Sequence, residues 1–216
     1  MERQIRPLLI LGTRTLAVEI ADVISEIPDF NVTHFVENMN PRRCAETLEG
    51  LPIIWVDEVS KLVSSHSALC GLATTHRHIF VEQVSEYGIP FVTIVHPSSR
   101  VSSKSTLHKG TFVSTGVIIA AHTHLGCHVL VNRGVLIGHH TTIDDYVTIQ
   151  PGANIAGNCH IGKATYIGMG SIVINNITIG KHSIVGAGSV VTKDVPDNVQ
   201  VVGVPARIVK ENIQGL

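Results

Sequence analysis

Gly138-His139-His140 sets two imidazoles side by side, and a third, His122, lies eighteen residues before His140. His124 and His160 are thirty-six residues apart, twice that interval. Imidazole moves protons near neutral pH and is also the commonest metal ligand, so this set points to general-base chemistry or to a zinc site. Of the other histidines, His34, His66, His76, His78 and His182 have no partner at these intervals and read as surface or packing residues. His96 precedes Pro97 and reads as the donor or acceptor of a structural hydrogen bond. Two further places offer ligand chemistry. Gly12-Thr13-Arg14-Thr15 stands at the start of a helical pattern, where a phosphate could meet helix N-terminal amides, although it lacks the GxGxxG spacing of a dinucleotide site. Glu37 and Asn38 follow a strand pattern and either bond a ribose or uracil or belong to a solvated loop.

The interval of eighteen has a cause. From Val101 to Val191 a large aliphatic residue stands at every sixth position, as in Val113, Ile119, Leu125, Val131, Ile137 and Ile143. Four residues after each comes a small or β-branched one, from Ser105, Thr111 and Val117 to Ser189 and Val195. An α-helix cannot hold a period of six on one face, whereas short strands turned by corners can, so the pattern predicts a β-helix with one continuous core. Three hexads make a coil, and residues eighteen apart stack. One corner then carries Gly116, Gly134, Gly152, Gly170 and Gly188, a column that implies positive φ. The second carries Lys104, His122, His140, Asn158, Asn176 and Asp194, preceded by Ser103, Ala121, His139, Gly157, Asn175 and Lys193. The third carries Lys109, Cys127, Asp145, Lys163 and Lys181.

Residues 1–95 read differently. Strands are expected at Leu8 to Leu11, Val32 to Val36, Pro52 to Trp55, Ala68 to Ala73 and Phe91 to Val95, with helices over Leu16 to Ile27, Glu58 to Ser64 and Arg77 to Tyr87. The alternation predicts a small Rossmann-like parallel α/β sheet, with ligands beyond the carboxyl ends of its strands. Two domains follow, 1–95 and 96–216, the second ending in a loop at Gly203-Val204-Pro205-Ala206-Arg207 and a short tail. A formal net charge of -1 over 216 residues argues against nucleic acid as a partner. Cys44, Cys70, Cys127 and Cys159 form no CxxC pair and read as free thiols. The apolar run Leu8 to Leu11 is too short for a signal peptide or a membrane span, so a cytoplasmic location is expected.

The hexads, Ile94-Val95-His96-Pro97-Ser98 before them, Asn132 ahead of the histidine pair and Val202-Gly203-Val204-Pro205-Ala206 after them resemble the left-handed β-helix sugar acyltransferases. The likeness is nearest to the branch of sialic acid O-acetyltransferases and nucleotide-amino-sugar N-acetyltransferases, and it spans nearly the whole chain. It implies left-handed winding, a homotrimer with active sites between neighbours, and acetyl-CoA as acyl donor to an amino or hydroxyl group of a sugar. It places the general base at His139, with His140 where the family usually has an acidic residue; Asp144 or Asp145 could serve instead. It places the donor at Thr148, Gly157, Met169 and Ala187. The acceptor falls at Gly12, Thr13, Arg14, Glu37 and Asn38.

Two other classes stay open on the residues. The same superfold hosts a carbonic anhydrase family with three histidines around zinc, for which His122, His140, His124 and His160 are the raw material. Here Thr165 and Asp144 stand where further ligands belong. A catalytically silent ligand-binding scaffold is the other.

Overall fold

The computed structural model describes residues 5–216, which fall into two compact units. The first comprises residues up to Ala73 together with Arg77–Val92. Its strands are β1 (Arg6–Leu11), β2 (Phe30–Glu37), β3 (Thr47–Leu48), β4 (Leu51–Trp55) and β5 (Ser67–Cys70), and its α-helices are α1 (Thr15–Ser25) and α2 (His78–Ser85). The sheet order is β3-β4-β2-β1-β5. All pairings are parallel except β3 with β4, an antiparallel edge that the sequence pattern did not predict. The interior strand β1 is apolar on both sides, Leu8 to Leu11 being wholly buried, as a strand covered on both faces requires. Ala17, Ile20, Val23 and Ile24 form the buried stripe of α1.

Two helical expectations are modified. Glu58 to Ser64 is mostly a 3-10 helix, Val56–Lys61, and Arg77 to Tyr87 begins as a 3-10 turn before α2. Phe91 only bridges Ala68, whereas Ile94–Val95 pairs with Phe112–Val113 and opens the second unit.

The second unit is a left-handed parallel β-helix of two-residue strands. Its first face runs from Arg100–Val101 to Val190–Val191 and its second from Thr106–Leu107 to Thr178–Ile179. The third runs from Ile94–Val95 to Ile184–Val185. Each strand bonds its counterpart eighteen residues on, as Ile119 pairs with Ile137 and Ile137 with Ile155. The period-six aliphatics fill the prism, with Val113, Leu125, Val131, Ile149 and Ile161 all at zero exposure. Inward hydroxyls are satisfied by carbonyls of the next coil: Thr111 donates to Gly126 at 2.8 Å, Thr123 to Gly138 at 2.9 Å and Thr141 to Ala156 at 3.1 Å. Buried polar groups cost stability unless paired in this way.

Positive φ occurs at all three corners. The glycine column has it, with Gly134 at 67°, and so do His122 at 60°, His140 at 56° and Asn158 at 58°. At the third corner the left-handed residue is one place later than the basic row: Gly110, His128, Tyr146, Ala164 and His182. His182 is therefore a turn residue, and the offset that reveals it is the one the glycine column already shows. The Gly203 to Arg207 loop is the turn of an antiparallel hairpin, Gln200–Gly203 with Ala206–Lys210, that extends the third face.

Candidate active site

His139 and His140 lie at the corner between the first and second faces, and both are exposed. Their Nδ1 atoms are 3.0 Å apart, with the rings nearly perpendicular at 85°. His140 stacks over His122, one coil below, with ring centroids 4.8 Å apart. Gly157 lies one coil above His139, and its missing side chain is what makes room for the imidazole: a Cβ there would stand 2.8 Å from His139 Cε1.

The amide of Gly157 donates to no acceptor among the described residues. Amides at the same offset on the third corner show what such a group takes: Cys127 N donates to Asp145 Oδ1 at 2.7 Å and Lys181 N to Asp197 Oδ1 at 2.9 Å. They point away from the core and bind an oxygen anion. The corner therefore joins a potential base to a backbone donor one coil away, which is what acyl transfer through a tetrahedral oxyanion needs.

Neither aspartate considered as a partner of His139 serves it. Asp144 Oδ2 is 3.0 Å from His160 Nε2, and Asp145 is held by the Cys127 amide. His124 bonds Thr106 through Nδ1 at 2.6 Å, and among the described residues no group of three His, Cys, Asp or Glu is arranged to hold a metal ion. The cysteines are free thiols; burial pushes the Cys70 thiol up to about 11 and, with Asp145, raises that of Cys127.

The donor-site expectations divide. Gly157 adjoins His139, but Thr148 does not: it sits on the third face, opposite the His139 corner, and is wholly buried. A side chain with no accessible surface cannot meet a thioester, so the expectation for Thr148 is corrected. Met169 and Ala187 are exposed, but on the glycine corner, across the first face from His139. One protomer does not bring them together with the base.

In the α/β unit, Gly12 has φ +109° and a Cβ there would lie 2.7 Å from Leu72 Cδ2, so the turn requires glycine. The hydroxyl of Thr13 donates to Glu37 Oε2, and the Arg43 guanidinium donates to the Thr13 carbonyl at 2.8 Å and to its hydroxyl. Glu37 Oε1 accepts the amides of Asn38, Met39 and Asn40 at 3.0, 2.8 and 3.3 Å. With 8% exposure and its acceptor sites in use, Glu37 organises its own loop and is not offered to a ribose, which corrects that expectation. Thr13 is buried against it, and Asn38 donates its side-chain amide to Gln83 at 2.9 Å. Arg14 alone of this group is exposed, at the N-terminus of α1. Arg43 was missed in the sequence, where only the Arg42-Arg43 pair soon after Glu37 signals it.

Residues 158–193 match the bacterial transferase hexapeptide (six repeats) family. A perosamine N-acetyltransferase from Caulobacter crescentus, solved as a histidine-to-asparagine variant with CoA and GDP-perosamine, is 26% identical, with a TM-score of 0.89 over 98% of this chain and 100% of that one. WeeI from Acinetobacter baumannii AYE is 27% identical, with a TM-score of 0.85 over 94% of this chain and 100% of that one. The chain is a hexapeptide-repeat acyltransferase. The acetyltransferase domain of PglB from Neisseria gonorrhoeae FA1090 has the same fold at 23% identity, with a TM-score of 0.86 over 94% of this chain and 100% of that one. No curated protein sequence matches the acyltransferase significantly.

Two outcomes test this geometry. Burial alone would raise the Glu37 carboxyl, but the Thr13 hydroxyl and the amides of Met39, Asn40 and Asn38 outweigh it and hold the pKa below the usual value. A depressed folded-state pKa contributes stability that is fully present above the unfolded value, about 4.3, and is lost as pH falls through the folded one. The gap in melting temperature between wild type and Glu37→Gln should therefore be constant near neutrality and shrink below about pH 4.3; a gap independent of pH contradicts the assignment. Gly157→Ala pushes a methyl into the His139 ring, and should lower kcat about tenfold or more with little change in melting temperature.

Proposed function

We propose that the acyltransferase moves the acetyl group of acetyl-CoA onto an amino group of a nucleotide-linked sugar, with His139 as general base. The observation that carries this reading is the exposed His139 imidazole, tied at Nδ1 and seated under the unpaired Gly157 amide. The neutral amine attacks the thioester carbonyl while His139 Nε2 takes its proton. The new C–N bond forms a tetrahedral oxyanion, which the Gly157 N–H stabilises. Collapse breaks the C–S bond and releases coenzyme A, whose thiolate is protonated as it leaves. No covalent enzyme intermediate is needed. The likeness to a solved amino-sugar N-acetyltransferase holding CoA and GDP-perosamine supports amine over hydroxyl as the acceptor.

The nucleotide is assigned to the α/β unit, where Arg14 and the first amides of α1 offer a cationic, amide-rich place for phosphate. A homotrimer is part of the proposal. The first face exposes Ile118 at 47%, Leu136 at 39% and Ile172 at 43%, aliphatic side chains that a monomer leaves in water, with the polar Asn154 between the last two. Its two edges carry His139 on one side and Met169 with Ala187 on the other, so neighbouring copies would join the base to the donor channel. No described helix is long and apolar enough to cross a membrane. We place the reaction in the cytoplasm, with its acetyl-CoA.

Thiol release from acetyl-CoA with nucleotide-linked amino sugars tests the reaction. His139→Ala should cut kcat by about 10²–10⁴-fold while acetyl-CoA binding, followed by calorimetry, is retained. Equal rates for the two proteins sink the base assignment and favour a silent scaffold. Light scattering should give three times the mass of one chain, and a monomeric mass at assay concentration contradicts the shared site.

A further inference from the structure

The Nδ1 atoms of His139 and His140, 3.0 Å apart, hold a single proton between them. With neither nitrogen protonated the lone pairs repel, and with both protonated two N–H bonds collide. Two arrangements remain. In one, His139 Nδ1–H donates to His140, which leaves His139 Nε2 bare. In the other, His140 donates, and His139 carries its proton on Nε2, where it is no base. Only the first survives proton abstraction without rearrangement, because a doubly protonated His139 must donate from Nδ1 to an acceptor.

Resting on the reading of His139 as the base, we propose that His140 is its positioning residue: its Nδ1 accepts the His139 Nδ1–H and fixes the tautomer that exposes a basic Nε2. Three features hold His140 in that pose. Its backbone stands at φ +56°, its amide donates to Ala121 O at 3.1 Å, and its ring lies on His122 at 4.8 Å. The groups packed about the pair are His122 below, and Gly157 and Asn158 above; the carboxylates in sequence reach, Asp144 and Asp145, are engaged by His160 and by the Cys127 amide. His140 is therefore an acceptor that can itself be protonated. Once it is, it can no longer receive the His139 proton. With rates referred to the concentration of neutral amine, activity on the acid side then requires two imidazoles to be neutral, and log kcat/KM should fall with a limiting slope approaching two.

Asparagine separates the roles. Its Oδ1 stands as many bonds from Cα as the histidine Nδ1, it accepts a hydrogen bond without titrating, and it already occupies this corner position at Asn158 and Asn176 with φ near 60°. The experiment compares wild type, His140→Ala, His140→Asn and His139→Ala by kcat, KM for acetyl-CoA and pH profile, with melting temperature as the check on folding. His140→Ala should lose about 10–100-fold in kcat at an unchanged KM. His140→Asn should recover at least tenfold of that loss and turn the acid limb to a slope of one. If His140→Ala keeps the wild-type kcat, or if wild type itself has a slope of one, the positioning role is overturned while the base assignment stands. If His139→Ala is as active as wild type, the base reading has failed, and this one with it. Recovery by His140→Asn of melting temperature but not of kcat marks His140 as a turn residue only, and overturns the proposal.

Discussion

The coil-to-coil backbone ladder governs everything else in the second unit. From Ile94 to Ile172, the first residue of each two-residue strand donates its amide to a carbonyl seventeen residues on, as Leu136 N does to Ala153 O at 3.0 Å and Thr142 N to Cys159 O at 2.9 Å. Strands bonded in this way lie about 4.7–4.9 Å apart. That spacing is also the His122 to His140 ring separation of 4.8 Å, and it is why a residue in one coil is the floor or ceiling of its counterpart in the next. The chemistry at the corner is positioned by the least specific interaction in the molecule.

The ladder also explains why glycine recurs where no turn needs it. Gly138 and Gly157 lack positive φ, yet each faces a neighbouring coil at a distance that a Cβ would violate, Gly138 against the backbone of Ala156 and Gly157 in the coil above, and Gly157 against the His139 ring in the coil below. In the first case the absent methyl lets backbone meet backbone. In the second it lets a side chain lie flat on the next coil with an unpaired amide beside it. The same omission brings backbone onto backbone at one residue and makes room for an imidazole at the other.

The prism was legible because its signal is redundant: sixteen aliphatic positions in strict register leave one period possible, and the αL column is marked by glycine at one corner and asparagine at another. The third corner hid its left-handed residues behind histidine, tyrosine and alanine, where stacking of His128 on Tyr146 and the Lys163 ammonium over that ring accompany the strained backbone. At the site, His139 could be read because register puts it on a corner. Thr148 could not be judged, since the alternation that turns it outward says nothing of whether its face meets solvent. Glu37 looked like a ligand contact because an acidic residue after a strand is one; only coordinates reveal that three amides, a hydroxyl and Arg43 have already claimed it.

The positive φ of His140 narrows what the position beside His139 can become. Glycine adopts that backbone freely, and asparagine, aspartate and histidine do so far more readily than other side chains. Three of these four carry a hydrogen-bond acceptor at the same bond distance from Cα, and the fourth carries nothing. A turn required for winding thus acts as a filter on heredity: most single-residue changes that the coil tolerates there also leave the neighbouring imidazole an acceptor to lean on. Carboxylate, amide and imidazole become interchangeable steps in sequence space, differing in charge and in the pH at which they let go.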